Sequence, residues 1–365
     1  MEGRRVSAGD FREYLAPVAA GVSPGLISAP AFKDIEAVAR HIPESLAYNT
    51  FGFECRLGET APRADFLVLA TAAQGRESLA TLDAWEETSS AALTAHPVWR
   101  QVRDFAALWT DPSSLLHEAA DNVWLEFDVD GPPSETPLPA VFFGIMPNAP
   151  PEVVPAALRV LSGGGIAPQI LEKVSECQRV LPPFGDVFQV GLMLSRGPVE
   201  AVRLCIWLRS PEKLLPFLQR VGWRGDEDRA RAALVPLHCM LDTVALNVDV
   251  GVVVHDKLGF ECYFHKNRQP AREPRWQAFL DFLVREGLCT TRKRDALLAY
   301  PGHVEEDGAA PWPGALSRIS ALLGPRHVSV FARTLHHVKV VCGPGRPLEA
   351  KAYLAGNHLW RVPGS

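Results

Sequence analysis

Five times along this chain, two short alternating apolar segments are joined by a turn, and helical segments separate the pairs. The pairs are Asn49–Leu57 with Asp65–Thr71, Asn122–Val129 with Ala140–Met146, and Asp186–Leu194 with Ala201–Leu208. Val244–Val254 with Leu258–His265, and Val328–Val341 with Leu348–Leu354, complete the set. This rhythm predicts an α+β fold: five αββα repeats forming a ten-stranded antiparallel β-barrel with the helices outside. A barrel of ten strands is wide enough to enclose a lumen, so function is to be sought on the side chains that point inward. A chain of 365 residues, 47% of them hydrophobic, has ample material for such a core.

The connecting segments carry the helical period. Ser78–Glu118 places Leu79, Leu82, Trp85, Val98, Val102, Phe105 and Trp109 at helical spacing. Pro151–Leu181 reads as two helices broken at Ser162-Gly163-Gly164-Gly165. Those glycines stand between helices, so they read as a connection and not as a phosphate-binding turn, which follows a strand. Ser210 with Pro211 is a helix start, leading into Leu214–Val221 and then Asp226–Leu241. Pro274–Leu288 and Thr290–Leu298 make the last helical linker, and the polar, Pro/Gly-rich His303–Pro313 reads as a surface loop. Residues 1–44 read as a helical lead-in and 45–365 as one barrel-like domain. An alternative division into two α+β domains would fall at Pro182-Pro183. The tetrapeptide Gly52-Phe53-Glu54-Cys55 recurs as Gly259-Phe260-Glu261-Cys262, which fits a repeat-built fold.

A net charge of −5 argues against a dedicated nucleic-acid binder. No apolar run reaches about 18 residues, so no membrane insertion is expected. Met1-Glu2-Gly3-Arg4-Arg5 is not followed by an apolar segment, and the expected location is cytoplasmic. Seven scattered cysteines without a Cys-x-x-Cys pair read as free, mostly buried thiols. Hydrolase elbows, zinc motifs, Walker and Rossmann glycine patterns are absent from the sequence.

Strand side chains alternate between faces. One face of each strand is apolar and is assigned to the helices. The other gathers Arg56, Arg203, His337, Lys339 and Lys351 with Glu54, Glu126, Asp128, Asp249 and Glu261, and sets Trp124, Trp207, Tyr263 and Tyr353 among them. No inward basic residue is expected on the second strand or on either strand of the fourth pair. A face this polar is either a wet, functional lumen or the solvated side of an open sheet. The mass of helix, and the reluctance of ten strands to stay flat, favour the lumen. Lys and Arg bind a diphosphate through charge-assisted hydrogen bonds, aromatic faces stabilise a carbocation, and a carboxylate positions and deprotonates a nucleophile. These are the parts needed to ionise an allylic diphosphate and pass its cation to an acceptor.

With its five strand pairs, and with Arg203, Lys339, Lys351 and Tyr353 on inner faces, the chain resembles the ABBA (αββα, PT-barrel) prenyltransferases, which include aromatic and cyanobactin-type peptide prenyltransferases. The resemblance covers roughly residues 45–356 and is architectural. It implies an isoprenyl diphosphate as co-substrate, bound by Arg203, Lys339 and Lys351. It implies Glu54 or Glu126 as the carboxylate that positions the acceptor and takes its proton. Trp124, Trp207, Tyr263 and Tyr353 would shield the cation. Asp128, beside Glu126, is the candidate Mg²⁺ ligand with the diphosphate. The acceptor would be an aromatic small molecule or a peptide side chain. Only five tyrosines are present and the inward cations are few. A non-catalytic barrel binding a hydrophobic or peptide ligand is therefore the competing expectation.

Overall fold

The computed structural model describes residues 10–81, 93, 95–129, 136–265, 268–308 and 311–362. The strands are β1 (Phe51–Arg56), β2 (Ala64–Thr71), β3 (Asn122–Phe127), β4 (Ala140–Gly144), β5 (Gly185–Leu192) and β6 (Val202–Leu208). They continue as β7 (Thr243–Val250), β8 (Val254–Tyr263), β9 (Gly302–Glu305), β10 (Val328–Cys342) and β11 (Glu349–Arg361). Neighbours pair antiparallel from β1 through β8, β8 pairs with β10, and the β10–β11 hairpin returns to β1. Ten strands therefore close on themselves, as the strand-pair rhythm predicts. β9 is the eleventh strand and lies outside the ring against β10. Its Gly302–Glu305 backbone replaces part of the surface loop expected at His303–Pro313. β11 runs on to Arg361, past the expected end at Leu354, whereas β10 matches the expected Val328–Val341 to within one residue, and its first half gives β9 a strand to pair with.

β4 hydrogen-bonds to β5 across the Pro182-Pro183 segment, so the sheet runs unbroken through the point where a two-domain division would fall. The outward faces carry the apolar alternation. Phe51, Phe53, Phe127, Phe143, Leu204 and Phe260 are all buried against the helical layer. The helix Pro97–Thr110 shows why this layer holds. Its Trp99, Val102, Phe105 and Trp109 fall on one face, and Phe105 meets Phe143 of β4 at a ring distance of 5.4 Å. Each such side chain contributes about 1.5–3 kcal/mol on leaving water. Leu82 and Trp85 of the same linker lie outside the described residues.

Local capping chemistry fixes the helix ends. Ser28, Asp226 and Thr290 each accept a hydrogen bond from a backbone N–H of the first turn. Ser210 makes no such bond; a single 3₁₀ turn, Pro211–Lys213, precedes Leu214–Arg220. Gly163 and Gly164 adopt positive φ (58° and 77°) between the helices Val153–Leu161 and Pro168–Val180, the conformation a tight helix–helix turn requires. Within the lead-in, Phe11–Ala19 and Ala29–Ala39 are helical, and Phe11, Tyr14 and Leu15 are fully buried. Six of the seven cysteines are buried and Cys239 is exposed; all are free. Among the described residues no helix is long and apolar enough to cross a membrane.

Candidate active site

Closing the sheet turns the polar faces inward, as strand alternation requires. A cavity of about 600 Å³ occupies the lumen. A narrow polar extension of about 60 Å³ adjoins it, and the two share Leu67, Glu126, Arg203, Lys339 and Tyr353. Every candidate residue named from the sequence borders one or both spaces except Arg56, which lines neither and lies 3.4 Å from Asp65.

The seam of the barrel builds the centre of the site. Lys339 and Lys351 are directly opposed in the β10–β11 hairpin, with His337 opposite Tyr353 one step along. On the other side of β11, Tyr353 faces Glu54 and Lys351 faces Arg56. Glu54 accepts hydrogen bonds from Lys351 Nζ and Tyr353 Oη. Burial alone would raise its pKa, but the Lys351 charge, the two hydrogen bonds and the Lys339 charge outweigh burial and hold it at about 2.

The repeated tetrapeptide reproduces this device on β8. Gly259 and Glu261 face inward, and Phe260 and Cys262 pack outward. Glu261 accepts a 2.5 Å hydrogen bond from Tyr263 and lies 3.6 Å from Lys339 Nζ, which also bonds Asn247 Oδ1. Burial opposes ionisation of Glu261, yet Lys339, His337 and these hydrogen bonds lower its pKa. Gly259 leaves the room this needs: a Cβ there would stand 2.7 Å from Lys339 Cε. Arg203 forms a two-bond pair with Asp249, at 2.8 and 3.0 Å. Burial would weaken the Arg203 charge, but Asp249 more than restores it and Arg203 stays protonated.

Asp128 stands at the rim of the extension, where Arg196 grips both its oxygens at 3.0 and 2.9 Å. Among the described residues no cluster of three His, Cys, Asp or Glu is placed to hold a metal ion. A Mg²⁺ ion at Asp128 would compete with Arg196 and draw its further ligands from the diphosphate.

Lys257 corrects the sequence reading, which put no basic residue inward on the fourth pair. It borders the polar extension. The signal was available: β8 begins at Val254, and Lys257 is in phase with Gly259, Glu261 and Tyr263. Starting the strand at Leu258 hid it. Arg196, on the turn after β5, has no strand alternation to reveal it.

Glu126 differs from the other acids. It lies on β3 in phase with Trp124 and borders both spaces. Among the described residues it accepts no hydrogen bond and joins no ion pair. Burial and the nearby Glu54 charge push its pKa up to about 8, against the lowering effects of Lys339, Arg203 and Lys351.

A belt of rings crosses the lumen at the level of the large cavity. Phe188 stacks on Trp207 at 4.2 Å, and Trp207 meets Tyr263 edge-on at 5.1 Å. The His337 ring lies between Tyr263 (4.8 Å) and Tyr353 (4.1 Å). Three of the four expected shield residues thus share one belt, while Trp124 borders the same cavity on β3. A register shift between Leu335 and His337 lets the consecutive His336 and His337 both border the cavity. His337 is buried, which lowers its pKa to about 3 and keeps the ring neutral. Burial holds the Tyr263 and Tyr353 phenols in the protonated form.

Two solved structures share this architecture. AnaPT from Neosartorya fischeri superposes with a TM-score of 0.54 at 12% identity, over 98% of this chain and 93% of that one. The 5-dimethylallyltryptophan synthase of Streptomyces coelicolor gives 0.51 at 12% identity, over 94% and 96%. No protein-family model matches the sequence, and no curated protein matches it. At this identity the likeness establishes the fold alone, a PT barrel.

Proposed function

We propose that the protein transfers a short isoprenyl group from an allylic diphosphate to an electron-rich acceptor, an aromatic small molecule or a peptide side chain. The observation that carries this reading is the opposed pair Lys339 and Lys351, with Arg203, bordering a polar recess beneath a cavity walled by aromatic rings. The lysines and Arg203 bind the diphosphate, and Lys257 adds a fourth cation at the rim. Their charges stabilise the leaving group as the C1–O bond breaks. The rings of Trp207, Tyr263 and Tyr353, with Trp124, face the allylic cation and keep water from it. Glu54 is committed to Lys351 and Tyr353, so Glu126 is the carboxylate that positions the acceptor and takes up the proton released. The name of the Streptomyces coelicolor neighbour, a dimethylallyltryptophan synthase, supports a five-carbon donor and an aromatic acceptor for this barrel.

One feature favours the competing reading, a barrel that binds a ligand without chemistry. Lys339, Lys351 and Arg203 already carry carboxylate partners, which a diphosphate has to displace or share. Calorimetry with dimethylallyl thiolodiphosphate, with and without Mg²⁺, separates the two. Micromolar binding is expected, weakened about 100-fold or more in Lys339→Ala/Lys351→Ala, the effect of losing two charge-assisted contacts of about 1.5–3 kcal/mol each. A folded wild type that does not bind this donor or its geranyl counterpart excludes transfer from these short donors.

A further inference from the structure

Three inner cations each have an acid of their own: Lys351 with Glu54, Lys339 with Glu261, and Arg203 with Asp249. Asp128 is held by Arg196 and Asp65 lies 3.4 Å from Arg56, so of the acids that border the two spaces Glu126 is the one left over among the described residues. It borders the large cavity together with Trp124, Phe188, Trp207 and Tyr263. Glu126 is half-buried, and a carboxylate without a partner in such a place is costly to ionise unless something supplied from outside completes it. A carboxylate among aromatic faces is the combination that holds a cationic nitrogen, through a charge-assisted hydrogen bond on one side and cation–π attraction on the other. A donor diphosphate strengthens the requirement, because three of the four cations that would bind it already balance carboxylates and Lys257 alone does not offset its charge.

We propose that the acceptor chamber selects a molecule bearing a positively charged nitrogen, an ammonium or guanidinium group, which Glu126 holds against the aromatic wall. This rests on the large cavity being the acceptor site of the reaction proposed above, and it names the acceptor's charge class. The cation keeps Glu126 ionised, the form able to receive a proton. Arg203 and Lys339 also border the cavity, but Asp249 and Glu261 neutralise them, so they do not exclude a cation.

The test compares three indole probes of similar size by calorimetry at pH 7: tryptamine (cationic), indole-3-propanol (neutral) and indole-3-propionate (anionic). Tryptamine is expected to bind about tenfold tighter than the alcohol, one charge-assisted contact of about 1.4 kcal/mol, with the propionate weakest. In Glu126→Gln, checked for folding by circular dichroism, the advantage of tryptamine over the alcohol should disappear. The wild type gives a second readout that needs no variant: the advantage should shrink in 0.5 M NaCl. Equal or tighter binding of the alcohol, an unchanged order in Glu126→Gln, or no binding of any probe overturns the proposal. Repeating the series with dimethylallyl thiolodiphosphate present separates the two readings. If the donor fails to bind while the charge preference stands, the transfer reaction fails alone; if the donor binds without the preference, the acceptor class fails alone.

Discussion

Glu54 and Glu126 face the same lumen from strands β1 and β3, yet their surroundings drive them in opposite directions. Glu54 sits where the barrel closes, and the seam brings it Lys351 and Tyr353. Glu126 sits two strands away, opposite Leu67 and Ala140, which offer it no partner. One carboxyl is held at about 2 and the other pushed to about 8. Two acids whose environments separate their pKa values in this way are suited to different tasks, one fixed as a charge and the other free to exchange a proton. Partners, more than burial, make the difference, since burial raises both.

Substituting Glu54 gives the largest effect. Glu54→Gln leaves Lys351 without its counter-charge, and a loss of about 3 kcal/mol at pH 7 is expected, the low end for breaking a buried pair because Lys351 is partly exposed. The folded-state pKa is depressed, so the stabilisation is full above the unfolded value and is lost as pH falls toward 2. Urea unfolding at pH 7 and pH 3 checks this: the gap between wild type and variant should narrow at the lower pH. An equal gap at both would mean that Glu54 is not ion-paired.

Glu126→Gln should act with the opposite sign. Its folded pKa is raised, so its stability contribution is present below the unfolded carboxyl value and is lost as pH rises through about 8. The variant is expected to unfold about 1–2 kcal/mol later than wild type at pH 9 and to match it near pH 4. Thermal unfolding across that range is the measurement. A variant less stable than wild type at pH 9 would reveal a partner for Glu126 and collapse the contrast.

The smallest effect sharpens what holds Glu54. Tyr353→Phe removes one of its hydrogen bonds and leaves the ion pair. A loss of about 1 kcal/mol is expected, with the acid limb of the stability curve moved to higher pH. A shift as large as that of Glu54→Gln would make the phenol, and not the lysine, the main stabiliser of the charge.

The legible part of the site is the part that alternation controls. Glu54, Trp124, Glu126, Arg203, Trp207, Lys339, Lys351 and Tyr353 all sit at inward phase of strands long enough to show it, and all border the lumen. Lys257 escaped because its strand starts among polar residues, His255 and Asp256, that mimic a turn. His336 shares a face with His337 only through a local shift in pairing, which no period-two pattern contains. Arg196 lies in a turn, where side-chain direction follows backbone path and not sequence parity. For the same reason Asp128, the candidate metal ligand, is met by an Arg196 that the strand pattern does not announce.

The sequence by itself determined the five strand pairs, the helices between them and most of the inward side chains. Those follow from periodicities of two and 3.6, which are local properties of the chain. Tertiary structure alone decided which acid meets which base. Glu54 and Lys351 lie at opposite ends of the chain and become neighbours only when β11 pairs with β1 and the barrel shuts. Electrostatic energy depends on distance through space and on exclusion of water, and neither exists before closure. That is why one glutamate of this lumen is a fixed charge and another has no partner among the described residues.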